Sequence, residues 1–230
     1  LPYHNYVTGE RAVETINTMI DYVHEGNRLF YDIYSDADKQ ADSRKNNTGL
    51  FFFRGEPGRP FAIVCPGGGF SYVGAIHEGF PLAIALSRMG YNAFSIQYRT
   101  GGAQVACEDL AQAINFIMRH AEELQVSTED YSLWGGSAGA RMAAYLGSYS
   151  TQGFIDATHE RPAAVIMGYT GHSEYTQNDP PTYVIIGEDD AIANPATMRR
   201  RVENLQALGI DAEFHLLPDL RHGFGLGIGT

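Results

Sequence analysis

The chain has only two cysteines in 230 residues, Cys65 and Cys107, and they lack C-x-x-C spacing. That excludes a disulfide-stapled scaffold and a cysteine-built zinc site. Basic residues are also scarce: 16 Lys and Arg against 27 Asp and Glu give a net charge of −11. A surface of that sign repels phosphate backbones and anionic lipid, so neither nucleic acid nor a membrane is an expected partner. No apolar run approaches the roughly 18 residues needed to cross a bilayer. Internal repeats, linkers and low-complexity tracts are absent too. What is present suits one domain over 1–230: 44% of residues are hydrophobic, and the length can bury a full core around a sheet.

Along the chain, strand-like and helix-like stretches alternate. Val13, Ile16, Ile20 and Val23 recur at helical spacing near the N-terminus. Strands are expected over 28–34 and 50–54, with the polar stretch 35–49 between them as a surface loop. A buried strand over 61–65 leads into a glycine-rich turn. Leu82, Ala85, Leu86 and Met89 then predict one face of a helix that Pro81 opens and Gly90 closes. After a strand over 91–98, Leu110, Ile114, Ile117, Ala121 and Leu124 step by four, three, four and three, as a helix requires. The second half repeats the pattern, with strands at 131–134, 163–169, 182–187 and 211–217. A helix capped by Asn194-Pro195 turns Met198, Val202 and Leu205 inward. The fold class this predicts is α/β: a mostly parallel central sheet with helices on both faces and antiparallel strands at the N-terminal edge.

Gly135-Gly136-Ser137-Ala138-Gly139 sits between the strand at 131–134 and a helix-compatible run. In that setting a G-x-S-x-G sequence makes a sharp turn that lifts the serine above the sheet. Two further candidates follow later strands: the trio Glu188-Asp189-Asp190, and His222 in Leu220-Arg221-His222-Gly223-Phe224. A serine hydroxyl is a poor nucleophile near pH 7. It needs an imidazole to take its proton, and that imidazole needs a carboxylate to fix its tautomer. Asp190, three residues beyond Gly187, has the better register, with Asp189 as its rival. His215 lies inside a strand pattern, and His4, His24, His120 and His159 have no acid or nucleophile signal around them. His77 and His172 are expected near the mouth of the site. The developing negative charge on an attacked carbonyl needs backbone N–H donors. Ala138, the residue after the serine, supplies one, and the loop Cys65-Pro66-Gly67-Gly68-Gly69-Phe70 supplies the rest. A phosphate-loop reading of those glycines fails, because no Lys-Ser/Thr and no G-x-G-x-x-G spacing accompanies them.

Taken together, Pro66-Gly67-Gly68-Gly69-Phe70, His77-Glu78-Gly79, the serine pentapeptide, Gly187-x-x-Asp190 and His222-Gly223-Phe224 resemble the α/β-hydrolase esterases. The similarity runs over about 50–230 and is strongest to the compact branch of acetyl-xylan and feruloyl esterases and hormone-sensitive-lipase-like carboxylesterases. The resemblance implies Ser137 as nucleophile, His222 as general base and acid, and Asp190 as its orienter. It implies Gly68, Gly69 and Ala138 as oxyanion donors, and hydrolysis of short-chain esters, acetyl groups on carbohydrate included. No metal and no organic cofactor is implied, and the partner is a small-molecule ester; the sequence is compatible with a homo-oligomer. Pro66 replaces the histidine that often opens the family's oxyanion loop. The chain also stops at Thr230, where the family usually continues into a helix, so either it is cut short or that sheet edge is open. Between 170 and 181 there is no room for a large cap domain, which favours an accessible pocket and a small acyl group. Thioester, lactone or peptide hydrolysis by the same residues is the alternative chemistry. A non-catalytic hydrolase-fold binding module is the alternative class. Phe70, Tyr72, Tyr98, Tyr169 and Tyr175 are the candidate lining aromatics.

Overall fold

Residues 8–225 are described by a computed structural model; His4 and both ends of the expected 1–230 domain lie outside the described residues. The N-terminal part comprises α1 (Gly9–His24), β1 (Phe30–Asp32), α2 (Asp36–Ala41), β2 (Gly49–Phe53) and β3 (Pro60–Cys65). Then come α3 (Phe80–Arg88), β4 (Asn92–Gln97), α4 (Ala103–Arg119), the single turn α5 (Ala121–Leu124), β5 (Ser127–Gly136) and α6 (Ala138–Tyr149). The chain ends through β6 (Ala164–Gly168), β7 (Thr182–Gly187), α7 (Pro195–Ala207) and β8 (Ala212–Leu217).

The eight strands form one sheet in the order β1-β2-β4-β3-β5-β6-β7-β8. β1 and β2 pair antiparallel with each other, and β2 does so with β4; every later pairing is parallel. After β3 the chain first steps to β4 on one side and then returns to place β5 on the other. The loops leaving β3 and β5 therefore diverge at a switch point, where open α/β sheets leave a crevice for ligands. Cys65, the last residue of β3, is in register with Gly135 of β5. That alignment brings the glycine loop beside the serine turn.

Central strands are buried on both faces. In β3, Phe61, Ile63 and Cys65 join the core beneath α4, α6 and α7, while Ala62 and Val64 join a smaller core under α1 and α3. The two-residue alternation of a strand serves both layers at once. On the α3 side, Val64, Leu82, Trp134, Ile166, Ile185 and Leu217 border an apolar cavity of about 350 Å³.

Several sequence expectations are corrected. The stretch 35–49 is not simply a loop: Ser35 and Asp38 form a capping box that starts α2, and a 3-10 turn follows over Ser43–Asn47. Lys39 reaches Asp32 at 2.6 Å, and Arg99 reaches Asp42 at 3.1 Å, tying the segment down. In α1 the stripe Val13, Ile16, Ile20 and Val23 faces outward, and Thr15 and Met19 are the buried positions. In α3 the buried face is Phe80, Ala83, Ile84 and Leu86, and Met89 is exposed. The helix expected through Leu124 breaks at His120, whose ring Nδ1–H donates to the Phe116 carbonyl at 2.8 Å, and α5 then restarts it.

Candidate active site

Ser137 lies at the turn between β5 and α6 with φ 52°, ψ −115°, a region that L-residues avoid and that tight surroundings must impose. Its N–H is held by the Gly168 carbonyl at 2.9 Å. The flanking glycines are needed for close approach. A Cβ on Gly139 would fall 1.8 Å from the Cys65 carbonyl oxygen, and one on Gly135 2.3 Å from the Gly139 carbonyl carbon. Only with both side chains absent can α6 start so close above β3 and β5.

His222 follows β8 in a turn closed by Gly223. Its Nε2 lies 2.9 Å from Ser137 Oγ, and its Nδ1 lies 2.8 Å and 3.0 Å from the two carboxylate oxygens of Asp190. Asp190 Oδ1 also accepts the backbone N–H groups of Ile192 and Ala193 at 2.9 and 2.8 Å, which fixes the carboxylate. With Nδ1–H donated to Asp190, Nε2 is free to take the hydroxyl proton of Ser137. Asp189 instead has an exposed side chain, and its backbone N–H bonds to the Leu220 carbonyl. The structure thus brings Asp190, not its neighbour, to the imidazole.

The glycine loop curls beside this chain of contacts, with Gly68 at φ 133° and Gly69 at φ 61°. Among the described residues, the amides of Gly68, Gly69 and Ala138 have no intramolecular acceptor. Gly69 and Ala138 border a cavity of about 280 Å³ together with Ser137, His222, Phe70 and Tyr169; Gly68 is not on its wall. Of the other expected aromatics, Tyr98 is buried under the loop with its hydroxyl donating to the Pro66 carbonyl at 2.8 Å, and Tyr72 and Tyr175 are exposed. His172 is buried against Tyr145, and desolvation aided by Arg201 and Arg141 pulls its pKa down to about 3. His77 is half-buried beside Tyr72. No group of His, Cys, Asp and Glu suited to a metal occurs among the described residues.

Sequence reasoning missed two neighbours. Arg141 borders the same cavity, and its place one helical turn after Ser137 was a readable signal. Glu78 lies buried beneath the loop with its Oε2 accepting the Gly67 N–H at 2.5 Å, and desolvation pushes its pKa up. Only its adjacency to His77 and Gly79 marked it.

The chain is similar to known hydrolases. An acetylxylan esterase of Xylanibacter ruminicola is 22% identical over 218 residues, covering 81% of this chain and 45% of the relative. This chain therefore spans a little under half of that relative's length. An acetyl ester-xyloside bifunctional hydrolase from Caldicellulosiruptor lactoaceticus superposes with a TM-score of 0.76 at 20% identity, over 86% of this chain and 88% of that one. MGS-M1, an α/β hydrolase from a Medee basin deep-sea metagenome library, gives 0.70 at 22%, over 85% and 83%. Esterase 2 of Thermogutta terrifontis gives 0.66 at 20%, over 77% and 79%. The BD-FAE family profile matches residues 54–169, from the end of β2 through the glycine loop and the serine turn to the residue after β6. With that match across half its length and the α/β-hydrolase architecture throughout, the chain belongs to the BD-FAE family.

Proposed function

We propose that the protein is a serine carboxylesterase that removes short acyl groups, acetyl foremost, from carbohydrate. The observation that carries this is the unbroken run of contacts from Asp190 through His222 to Ser137, with Gly69 and Ala138 on the wall of the same cavity. Ser137 attacks the ester carbonyl while His222 takes its proton. Gly68, Gly69 and Ala138 stabilise the oxyanion, and the alcohol leaves with the proton returned by His222. Water then repeats the cycle on the acyl-enzyme. A cavity of about 280 Å³ falls just under the usual range for drug-sized ligands, which suits a small acyl group with its sugar held partly outside. The acetyl-ester names of the xylan and xyloside hydrolases support the same substrate class.

Fluorophosphonate labelling of the native chain and of Ser137→Ala tests the nucleophile: label and turnover should both vanish in the variant. Substantial turnover by Ser137→Ala sinks the reading. Nitrophenyl esters of rising chain length, set beside acetylated sugars, test the acyl class, and a preference for long chains overturns it.

A further inference from the structure

The Ser-His-Asp reading leaves unused a buried acid that lies against the glycine loop and the serine turn. Glu78 closes the wide turn over Ala75–Gly79 and is only 7% exposed. Its Oε2 accepts the Gly67 N–H, and Tyr169 lies beside it on the wall of the apolar cavity of about 350 Å³. The packing is close where Glu78 meets the loop and the serine turn, and that cavity lies on its other side. A Cβ on Gly67 would lie 2.9 Å from Glu78 Oε2, 2.9 Å from the Gly136 carbonyl oxygen and 3.1 Å from Ser137 Cβ. A Cβ on Gly136 would lie 2.5 Å from the Tyr169 hydroxyl oxygen. Glu78, the first loop glycine, Tyr169 and the serine turn therefore form one packed unit under the site.

The peptides around Gly67 are held from both sides. Glu78 takes the Gly67 N–H, Gly74 N–H reaches the Gly67 carbonyl at 2.9 Å, and Tyr98 bonds the preceding Pro66 carbonyl at 2.8 Å. The next two amides, Gly68 and Gly69, are those left without an intramolecular acceptor among the described residues. In a glycine run no side chain restrains the backbone, so the aim of those amides depends on how the preceding peptide is anchored.

We infer that Glu78 is a positioning residue for the oxyanion loop. By holding the Gly67 amide it aims the amides of Gly68 and Gly69 at the developing oxyanion. Tyr169, whose ring packs edge-on against His222 and Phe224, links that anchor to the histidine loop. The inference rests on the esterase reading above. It assigns Glu78 a geometric task, separate from the charge that Asp190 presents to His222.

The test compares Glu78→Gln with Glu78→Asp in acetyl nitrophenyl ester hydrolysis by the whole chain. Gln keeps the length and an acceptor oxygen without the charge; Asp keeps the charge but withdraws its oxygens by one methylene. Glu78→Gln should hold kcat within about tenfold of native. Glu78→Asp should lose on the order of 10²-fold in kcat, as a misplacement of about 1 Å does, with KM within about threefold in both. The reverse order of the two variants, native kcat in Glu78→Asp, or a loss carried by KM overturns the proposal. Should Glu78→Asp not fold, Tyr98→Phe frees the carbonyl side of the same anchor. A kcat about tenfold lower at unchanged KM then supports the inference, and native kcat overturns it. Labelling of native Ser137 runs alongside. An unlabelled, inactive native chain fails the esterase reading itself, whereas a labelled native chain with indifferent Glu78 variants fails only this inference.

Discussion

At the scale of single residues, the two neighbouring acids Asp189 and Asp190 show how much one position in a turn decides. Asp190 N–H closes a turn onto the Gly187 carbonyl, which swings its carboxylate back under His222; Asp189 faces solvent. An amide at position 190 keeps the shape but offers Nδ1 a donor where it needs an acceptor, favouring the wrong tautomer. Asp190→Asn should therefore lower kcat by about 10⁴-fold, the loss seen when the orienting acid of a serine protease triad is so replaced. Asp189→Asn should stay within about threefold, and steady-state kinetics on one acetyl ester compares the two directly. Equal losses would show that the turn, not the carboxylate, carries the effect. Ser137, Asp190 and His222 were legible because each follows a strand that hydrophobic patterning reveals, at a turn marked by glycine. Glu78 was not legible. Its contact with Gly67 depends on a wide turn that no local propensity announces, and a buried acid reads in sequence like a solvated one.

Among the elements, strands were read more truly than helix faces. The sheet is buried on both sides at its centre, so runs such as 61–65 stand out whatever packs on them. Helix faces depend on where the helix lands. The apolar stripe of α1 turns outward, because the helix meets the sheet through Met19 and through Tyr22, whose ring lies against Phe53 and whose hydroxyl accepts the Arg54 N–H. Arg201 gave no inward signal within α7, yet its side chain is 1% exposed and meets Asp179, itself 2% exposed, at 2.5 Å. Asp179 also takes the Ser148 hydroxyl at 2.6 Å and the Thr176 N–H at 2.9 Å. This one carboxylate joins α7, α6 and the segment entering β7. Arg201→Met should strand that charge and cost about 3–5 kcal/mol of unfolding free energy. Arg201→Met with Asp179→Asn should recover a good part of it, since no buried charge is then left unpaired. Urea unfolding of the native chain, both single variants and the double variant measures the coupling. Additive losses would mean that the pair acts only through packing.

For the whole molecule, the excess of acids suggests a protein governed by carboxylates in acid, but a histidine gives the sharper expectation. His172 is buried beside Tyr145, with Arg141 of α6 and Arg201 of α7 as its charged neighbours, and its pKa falls from 6.5 to about 3. Burial is the larger cause and the two arginines add to it. In the unfolded chain the same imidazole takes up a proton near pH 6.5. Between pH 6.5 and about 3 the unfolded state thus binds more protons than the folded one, so stability falls as pH falls through that window. At pH 4.5 the deficit from this one group is roughly 2–3 kcal/mol relative to pH 7. Glu78 works in the opposite sense. Its raised pKa favours the folded state below the ordinary carboxylate value, and that contribution is lost as pH rises through the folded value. The two are separable by difference, because His172→Gln removes one titration and leaves the other. The variant's unfolding free energy should decline less between pH 7 and 4.5, by about that same amount, in urea unfolding at matched ionic strength. Parallel pH profiles for the two proteins would show that His172 takes up its proton without leaving the fold.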